Sequence, residues 1–278
     1  MLPSGCPDDL ARALDQRGAT VDEHWEEGQR TYMRVHAGDG AKLFARFSAA
    51  PRDRATIAIE ARVREAVGAE GALRAPAVAA WGELWMIERA VEHEPLRGAT
   101  AIDLVLAAAE RLASLELPHV PEAEGADGGE SRRQVALRRL RMARSPLPAR
   151  DVVRARGVVA NSRLPRVTTH GDFHEHNVLI ERDAAWVIDW ELADSGPAGF
   201  DLMQMWASLQ SEADRERLYA GALEIVGRRH ADDLAAMRYA LTVRTIAGLV
   251  SSRHAFNRDR DEAHALLELL PDLRPSGA

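Results

Sequence analysis

The 278-residue sequence is poor in three constraining residue types, with one cysteine, one lysine and 5% aromatics. Because Cys6 is alone, no intrachain disulfide forms, which excludes a disulfide-stapled scaffold and leads us to expect a reducing, cytoplasmic setting. No run approaches the roughly 18 apolar residues of a membrane span, so no membrane partner is expected. Asp8 and Asp9 stand where a secretory signal would be basic, which argues against such a leader. An internal repeat is missing, and so is a G-x-G-x-x-G phosphate loop. What is present suits a globular chain. With 46% hydrophobic and 28% charged residues, it has enough apolar material for one large or two small cores and too much for disorder.

Basic residues are nearly all arginine and are unevenly placed. The formal net charge is -7, yet residues 132–166 hold eleven Arg against the single acid Asp151. The overall sign excludes a uniformly basic nucleic-acid binder, and nucleic acid is not an expected partner. Lys42 is the one candidate for any chemistry that needs a lysine.

Hydrophobic spacing divides the chain into residues 1–90 and 91–278. In the first part, Thr31 to His36 and Lys42 to Phe47 alternate about Gly38-Asp39-Gly40, which predicts a hairpin. Ile57, Ala61, Arg64 and Val67 follow helical spacing, with Gly68 as the stop. Ala77 to Ala80 and Leu84 to Glu88, split by Trp81-Gly82, predict a second hairpin. The sum is a small antiparallel sheet with one helix. From about residue 99 the pattern turns helical. Thr100 is expected to cap a helix that buries Ile102, Val105, Ala109 and Leu112. Residues 118–129 read as a polar loop, and Val135, Leu137 and Leu140 as the apolar side of a basic helix. Two strand-like runs, Asn177 to Ile180 and Ala185 to Asp189, flank the turn Glu181-Arg182-Asp183. After Phe200 the chain reads as helical to about Leu270. The expected class is α+β.

Chemistry concentrates between Thr168 and Leu202. His170, Asp172 and Asn177 fall in a compact loop before an apolar strand, and Asp189 ends the next one. A hairpin of that length brings Asn177 and Asp189 to one end of the two strands. An amide carbonyl and a carboxylate are hard oxygen ligands suited to Mg²⁺, which keeps waters and substrate phosphates as its other ligands. Asp172, left off the metal, accepts a proton from a hydroxyl nucleophile. These three groups meet the needs of phosphoryl transfer.

At these residues the sequence resembles the aminoglycoside phosphotransferase-like family, relatives of the eukaryotic protein kinases. The matching motifs are His170-Gly171-Asp172 through Asn177, Ile188-Asp189-Trp190-Glu191, and Gly196 through Asp201-Leu202. The resemblance implies a two-lobed, protein-kinase-like fold with a nucleotide-binding lobe over 1–90 and a helical lobe over 91–278. It further implies ATP or GTP as donor, Mg²⁺ as cofactor and a small-molecule hydroxyl as acceptor. In that likeness Asp172 is the catalytic base, Asn177 and Asp189 are the metal ligands, His170 is a brace, and Asp201 is a buried carboxylate tying loop to helix. By register, Arg46 takes the place of the family's phosphate-binding lysine, with Glu60 as its helix partner. Lys42, four residues earlier on the same strand face, is the competing assignment. The hinge falls at Ile87 to Val91, where Glu88 and Ala90 would offer backbone groups to adenine. The nucleotide loop shrinks to Glu27-Gly28-Gln29-Arg30.

Two other readings are open at this point. One is a nucleotide-binding module without catalysis, suggested by Arg46 and the glycine-poor loop. The other is a metallohydrolase, because His170, Asp172, His174 and His176 alternate and on a strand would share one face. The second leaves Asn177, Asp189 and Asp201 without a role. Trp190 and Trp206 are expected in the core. Residues 202–278 carry eleven acids against ten Arg. With the arginine-rich stretch before the catalytic loop, this points to a neutral or anionic acceptor, not a polycation.

Overall fold

A computed structural model describes residues 2–50, 53–68, 71, 73–116, 147–251 and 257–274. The described residues gather into two compact units, one from those within 2–95, 116 and 179–192, the other from those within 96–115, 147–178 and 193–274.

The first unit is built on a five-stranded antiparallel sheet. Its strands are β1 (Thr20–Glu27), β2 (Arg30–His36), β3 (Lys42–Ser48), β5 (Val78–Trp81) and β6 (Trp85–Arg89), in the order β1-β2-β3-β6-β5. Alternation in β2 and β3 sends Met33, Val35, Leu43, Ala45 and Phe47 to one face, where they pack on Leu10, Ala13 and Leu14 of helix α1 (Asp8–Asp15). Each such side chain contributes about 1.5–3 kcal/mol when fully buried. Residues directly opposite one another share a face, and Tyr32, Arg46 and Met86 are opposed in turn, as are Phe44 and Glu88. This second face meets helix α2 (Asp53–Val67) through Met86, Ile57 and Ala61. Gly68, at φ 74°, ends α2 in the left-handed region that a side chain would resist. Strand β4 (Leu73–Arg74) pairs in parallel with β9 (Ala184–Val187), and β8 (Val178–Glu181) completes a three-stranded sheet.

The second unit is mainly helical. It contains α3 (Gly98–Ala113), α4 (Ala149–Ala160), α5 (Phe200–Ser208), α6 (Glu212–Val226), α7 (Ala231–Ser251) and α8 (Asn257–Leu273). Strands β7 (Arg166–Thr169) and β10 (Asp194–Pro197) form a two-stranded antiparallel ribbon beside them. Val152, Ala155, Val243, Ile246, Leu266 and Leu270 close the core between α4, α7 and α8. Among the described residues no helix is long and apolar enough to cross a membrane.

Both hairpins, α2 and the apolar face of α3 lie where the spacing puts them. Three details differ. Thr100 does not cap α3, which begins at Gly98 and whose first N–H donates to Asp214 Oδ2 at 3.2 Å. The sheet carries two helices, because α1 packs on its other face. Strand β1 extends a sheet that the sequence left one strand short. The loop expected over 118–129 and the helix expected around Val135, Leu137 and Leu140 lie outside the described residues.

Candidate active site

In the helical unit, the loop 170–177 is held by one stripe of α5. Asp201, Gln204 and Ser208, spaced as i, i+3 and i+7, face it together. Asp201 Oδ2 and Oδ1 accept the N–H groups of His170 and Gly171 at 2.7 and 3.1 Å. Gln204 accepts the N–H of Phe173 at 3.2 Å and donates from Nε2 to Asp172 Oδ1 at 3.0 Å. Ser208 Oγ accepts the N–H of Glu175 at 3.0 Å. Gly171 sits at φ 83°, a turn that lets two consecutive N–H groups reach one carboxylate. His170 is fully buried, and its Nδ1 accepts the N–H of Asp172 at 3.3 Å.

Asp172 is therefore held from several sides. Asn177 Nδ2 donates to its backbone oxygen at 2.9 Å and to Oδ2 at 3.2 Å, and His174 Nε2 lies 3.3 Å from Oδ2. Burial pushes the Asp172 carboxyl up, but the His174 contact and charge, the His170 charge and the Asn177 amide outweigh it and hold the group below the ordinary aspartate value. Asp172 is thus ionised at neutral pH.

Asp201 behaves in the opposite way. Burial pushes its pKa up to about 7, against the pull of the two N–H donors. Between its ordinary value near 4 and about 7, the native state holds a proton that the unfolded chain has released. This group's contribution to stability therefore falls as pH rises through that window. Asp201→Asn should flatten the profile of urea midpoint against pH there, and an unchanged slope would refute the shift.

In the sheet unit, four charged side chains are buried together. Arg46 of β3, 9% exposed, donates to Glu60 of α2, which is fully buried. Arg64, one turn further along α2, donates to the other oxygen of Glu60 and to Glu88 of β6. Burial lowers the pKa of Arg46, with the Glu88 and Asp189 charges opposing. Arg46 Nη1 also lies 3.7 Å from Asp189 Oδ1. Asp189 has φ 63°, and that oxygen is buried without a hydrogen-bond partner. Arg30, at the start of β2, donates to Asp53 at 3.2 Å and Glu191 at 2.7 Å, and shares a small pocket with Arg46. On the Arg46 face, Trp25 stacks on Tyr32 at 5.7 Å between centroids, and Tyr32 meets Phe44 at 5.9 Å.

The two phosphate-binding candidates have different surroundings. Arg46 is inside the buried cluster, whereas Lys42 is exposed and pairs with Glu92. Glu88 directs its side chain to Arg64, and the N–H of Ala90 already donates to the Lys42 carbonyl at 3.0 Å. The N–H of Ala90 is thus engaged within the sheet unit. The alternating histidines do not form a metal set. They lie on a turning loop, not a strand, and among the described residues no group of three or more His, Cys, Asp or Glu could hold a metal ion. Trp190 and Trp206 are core residues, at 0% and 5% exposure. The contacts of Arg64 and Gln204 do not show in the sequence, although Arg64 is i+4 from Glu60 and Gln204 is i+3 from Asp201, spacings that share a helix face.

The profile of a phosphotransferase enzyme family matches residues 24–240. Methylthioribose kinase of Geobacillus kaustophilus is 41% identical over 59 residues, a match that covers 19% of this chain and only 15% of that kinase. Among solved structures, macrolide 2'-phosphotransferase MphH from Brachybacterium faecium aligns over 94% of this chain and 98% of its own, with 19% identity and a TM-score of 0.57. A thermostable mutant of aminoglycoside phosphotransferase APH(4)-Ia, in ternary complex with AMP-PNP and hygromycin B, aligns over 98% and 99%, with 18% identity and a TM-score of 0.63. At these identities the structural likeness establishes the fold, an α+β protein-kinase-like architecture.

Proposed function

Since the chain belongs to the phosphotransferase enzyme family, an enzyme class acting on hydroxyl groups of small molecules, we propose that it moves the γ-phosphoryl group of ATP, or of GTP, to a sugar, polar natural product or antibiotic. The observation that carries this reading is Asp172, ionised and fixed by Gln204, Asn177 and His174. A carboxylate so held orients a substrate hydroxyl and accepts its proton as the oxygen attacks phosphorus. The donor is held by residues of the sheet unit. Arg46 binds the phosphates in a fork, while Glu60 fixes its side chain. The half-exposed faces of Tyr32 and Phe44, on the same side of the sheet, suit a stacked base.

Residues that fit Mg²⁺ are present. Asn177 turns its Nδ2 to Asp172, which leaves its Oδ1 as an acceptor, and Asp189 carries a buried oxygen without a hydrogen bond. These two would hold the ion, whose charge, once bound, offsets that of the phosphates. The acceptor does not follow from the fold, which hosts many substrates.

Mass spectrometry of a hydroxyl-compound panel incubated with Mg·ATP tests the reaction, and no phosphorylated product across a broad panel would count against it. Two substitutions test the residues. Asp189→Ala should abolish the Mg²⁺ dependence of AMP-PNP binding in calorimetry, and unchanged Mg-dependent affinity would remove Asp189 from the metal. Arg46→Ala should raise the nucleotide KM more than about tenfold, the scale of a lost charge-assisted hydrogen bond. Lys42→Ala, which touches only an exposed pair, should leave KM within about twofold. The reverse ranking would transfer the phosphate role to Lys42.

A further inference from the structure

Arg30 ties together three separate stretches of the sheet unit. It opens β2, at the end of the turn Glu27-Gly28-Gln29-Arg30. Its Nε donates to Asp53, the first residue of α2, at 3.2 Å, and its Nη2 donates to Glu191 at 2.7 Å. All three side chains are a quarter exposed or less, so solvent screens these pairs little. Arg30, Glu191 and Arg46 line the same small pocket. Glu191 stands two residues after Asp189, whose backbone is at φ 63°. Residues with a Cβ rarely adopt that conformation, and it persists where the surroundings fix the chain around it. Here they do. Trp190, fully buried, donates from Nε1 to the Val187 carbonyl at 2.8 Å and so closes the chain across Ile188 and Asp189. The short helical turn Trp190–Leu192 packs on α2, and Glu191 within it is pinned to Arg30. Between these anchors, Asp189 keeps Oδ1 buried without a hydrogen-bond partner, 3.7 Å from Arg46 Nη1.

Helix α2 is thereby the common reference for two groups of the donor side. It holds Arg46 through Glu60, and Asp189 through the series Asp53, Arg30, Glu191. We propose that Arg30 is a positioning residue for the metal-side carboxylate: through Glu191 it holds Asp189 at its left-handed turn, and so sets the affinity for the divalent cation that accompanies the nucleotide. This role rests on the assignment of Asp189 to the metal. The sign of the charge makes it testable. A guanidinium near a cation site repels the cation by Coulomb's law. If Arg30 acted only as a charge, its removal would strengthen metal binding. Holding Asp189 in place predicts the opposite.

Calorimetry on the full chain measures AMP-PNP affinity with Mg²⁺ and with EDTA, and the ratio of the two is the readout, with thermal melts to verify folding. Arg30→Gln should lower the ratio at least about tenfold, the usual loss when a group that orients a metal ligand is removed. The metal-free affinity should stay within about threefold. Glu191→Gln should act in the same direction, and the double substitution should be no worse than the more severe single one, because both break one contact. Arg30→Lys keeps the charge but loses the fork that spans both carboxylates, so its ratio should fall part way. That variant carries the comparison should Arg30→Gln not fold. An unchanged or raised ratio in whichever variant folds overturns the proposal. A fall in both affinities alike also overturns it and makes Arg30 a direct phosphate ligand. Losses that add in the double variant break the link through Glu191. Asp189→Ala separates this role from the assignment beneath it. If the ratio survives Asp189→Ala, Asp189 holds no metal and both readings fail. If Asp189→Ala abolishes the ratio while Arg30→Gln keeps it, only the role of Arg30 fails.

Discussion

Replacing Asp172 with Asn should lower kcat by about 10²–10⁴-fold and leave the affinity for Mg·AMP-PNP within a small factor. The first effect has two sources. An amide takes no proton at neutral pH. It also places an NH₂ where Gln204 Nε2 or Asn177 Nδ2 now donates, so two donors meet and the side chain must rotate away. The second effect follows because Arg46, Asn177 and Asp189, not Asp172, are the groups assigned to the donor. Single-turnover kinetics and calorimetry on one preparation separate the two. Near-wild-type turnover would remove Asp172 as the base, and a parallel loss of nucleotide affinity would place it on the donor side.

Glu60→Ala should be the most destabilising single change in the sheet unit, by about 3–5 kcal/mol. Glu60 is fully buried and accepts from two guanidinium groups, so its removal leaves Arg64 with Glu88 and Arg46 with Asp189 at 3.7 Å, both largely buried. A charge without its partner in such surroundings costs far more than the pair contributes when intact. Urea denaturation would measure the loss, and the double substitution of Glu60 and Arg64 by apolar residues should recover part of it. If Glu60→Ala melted like the wild type, the buried series would be no more than a surface-like set of ion pairs. Glu92→Ala gives the contrast. It frees an exposed Lys42, and no measurable shift is expected.

Much of this was legible from local chemistry. The roles proposed for Asp172, Asn177 and Asp189 rest on spacing alone, because phosphoryl transfer uses few residue types close together. Their shared dependence on α5 could be read only in part. Asp201 was visible as a motif residue, whereas Gln204 and Ser208 join it through a helical stripe whose partner is a loop thirty residues earlier. Strand β1 was missed for a physical reason. Its sequence TVDEHWEE is nearly all exposed and lacks apolar alternation, so its pairing with β2, not its own pattern, makes it a strand. Helix α1 spans only eight residues, a stretch too short to stand out even though Leu10, Ala13 and Leu14 keep the i, i+3, i+4 spacing. Thr100 failed as a cap because Asp214, over a hundred residues away, accepts the first N–H instead. Arg64 was read as part of an apolar spacing. Its charge makes sense only once Glu88, on another strand, closes the far side.

The stripe Asp201, Gln204 and Ser208 has a consequence for motion. Four loop N–H groups, those of His170, Gly171, Phe173 and Glu175, end on side chains of a single helix. None of them can open to solvent while α5 keeps its register, and α5 cannot shift without releasing all four. Loop and helix thus form one cooperative unit, with a shared opening free energy in place of independent local fluctuations. A loop of this kind would ordinarily sample many shapes within nanoseconds to microseconds. Here its backbone inherits the slow timescale of a packed helix, and the carboxylate of Asp172, itself bonded to Gln204, is held with it.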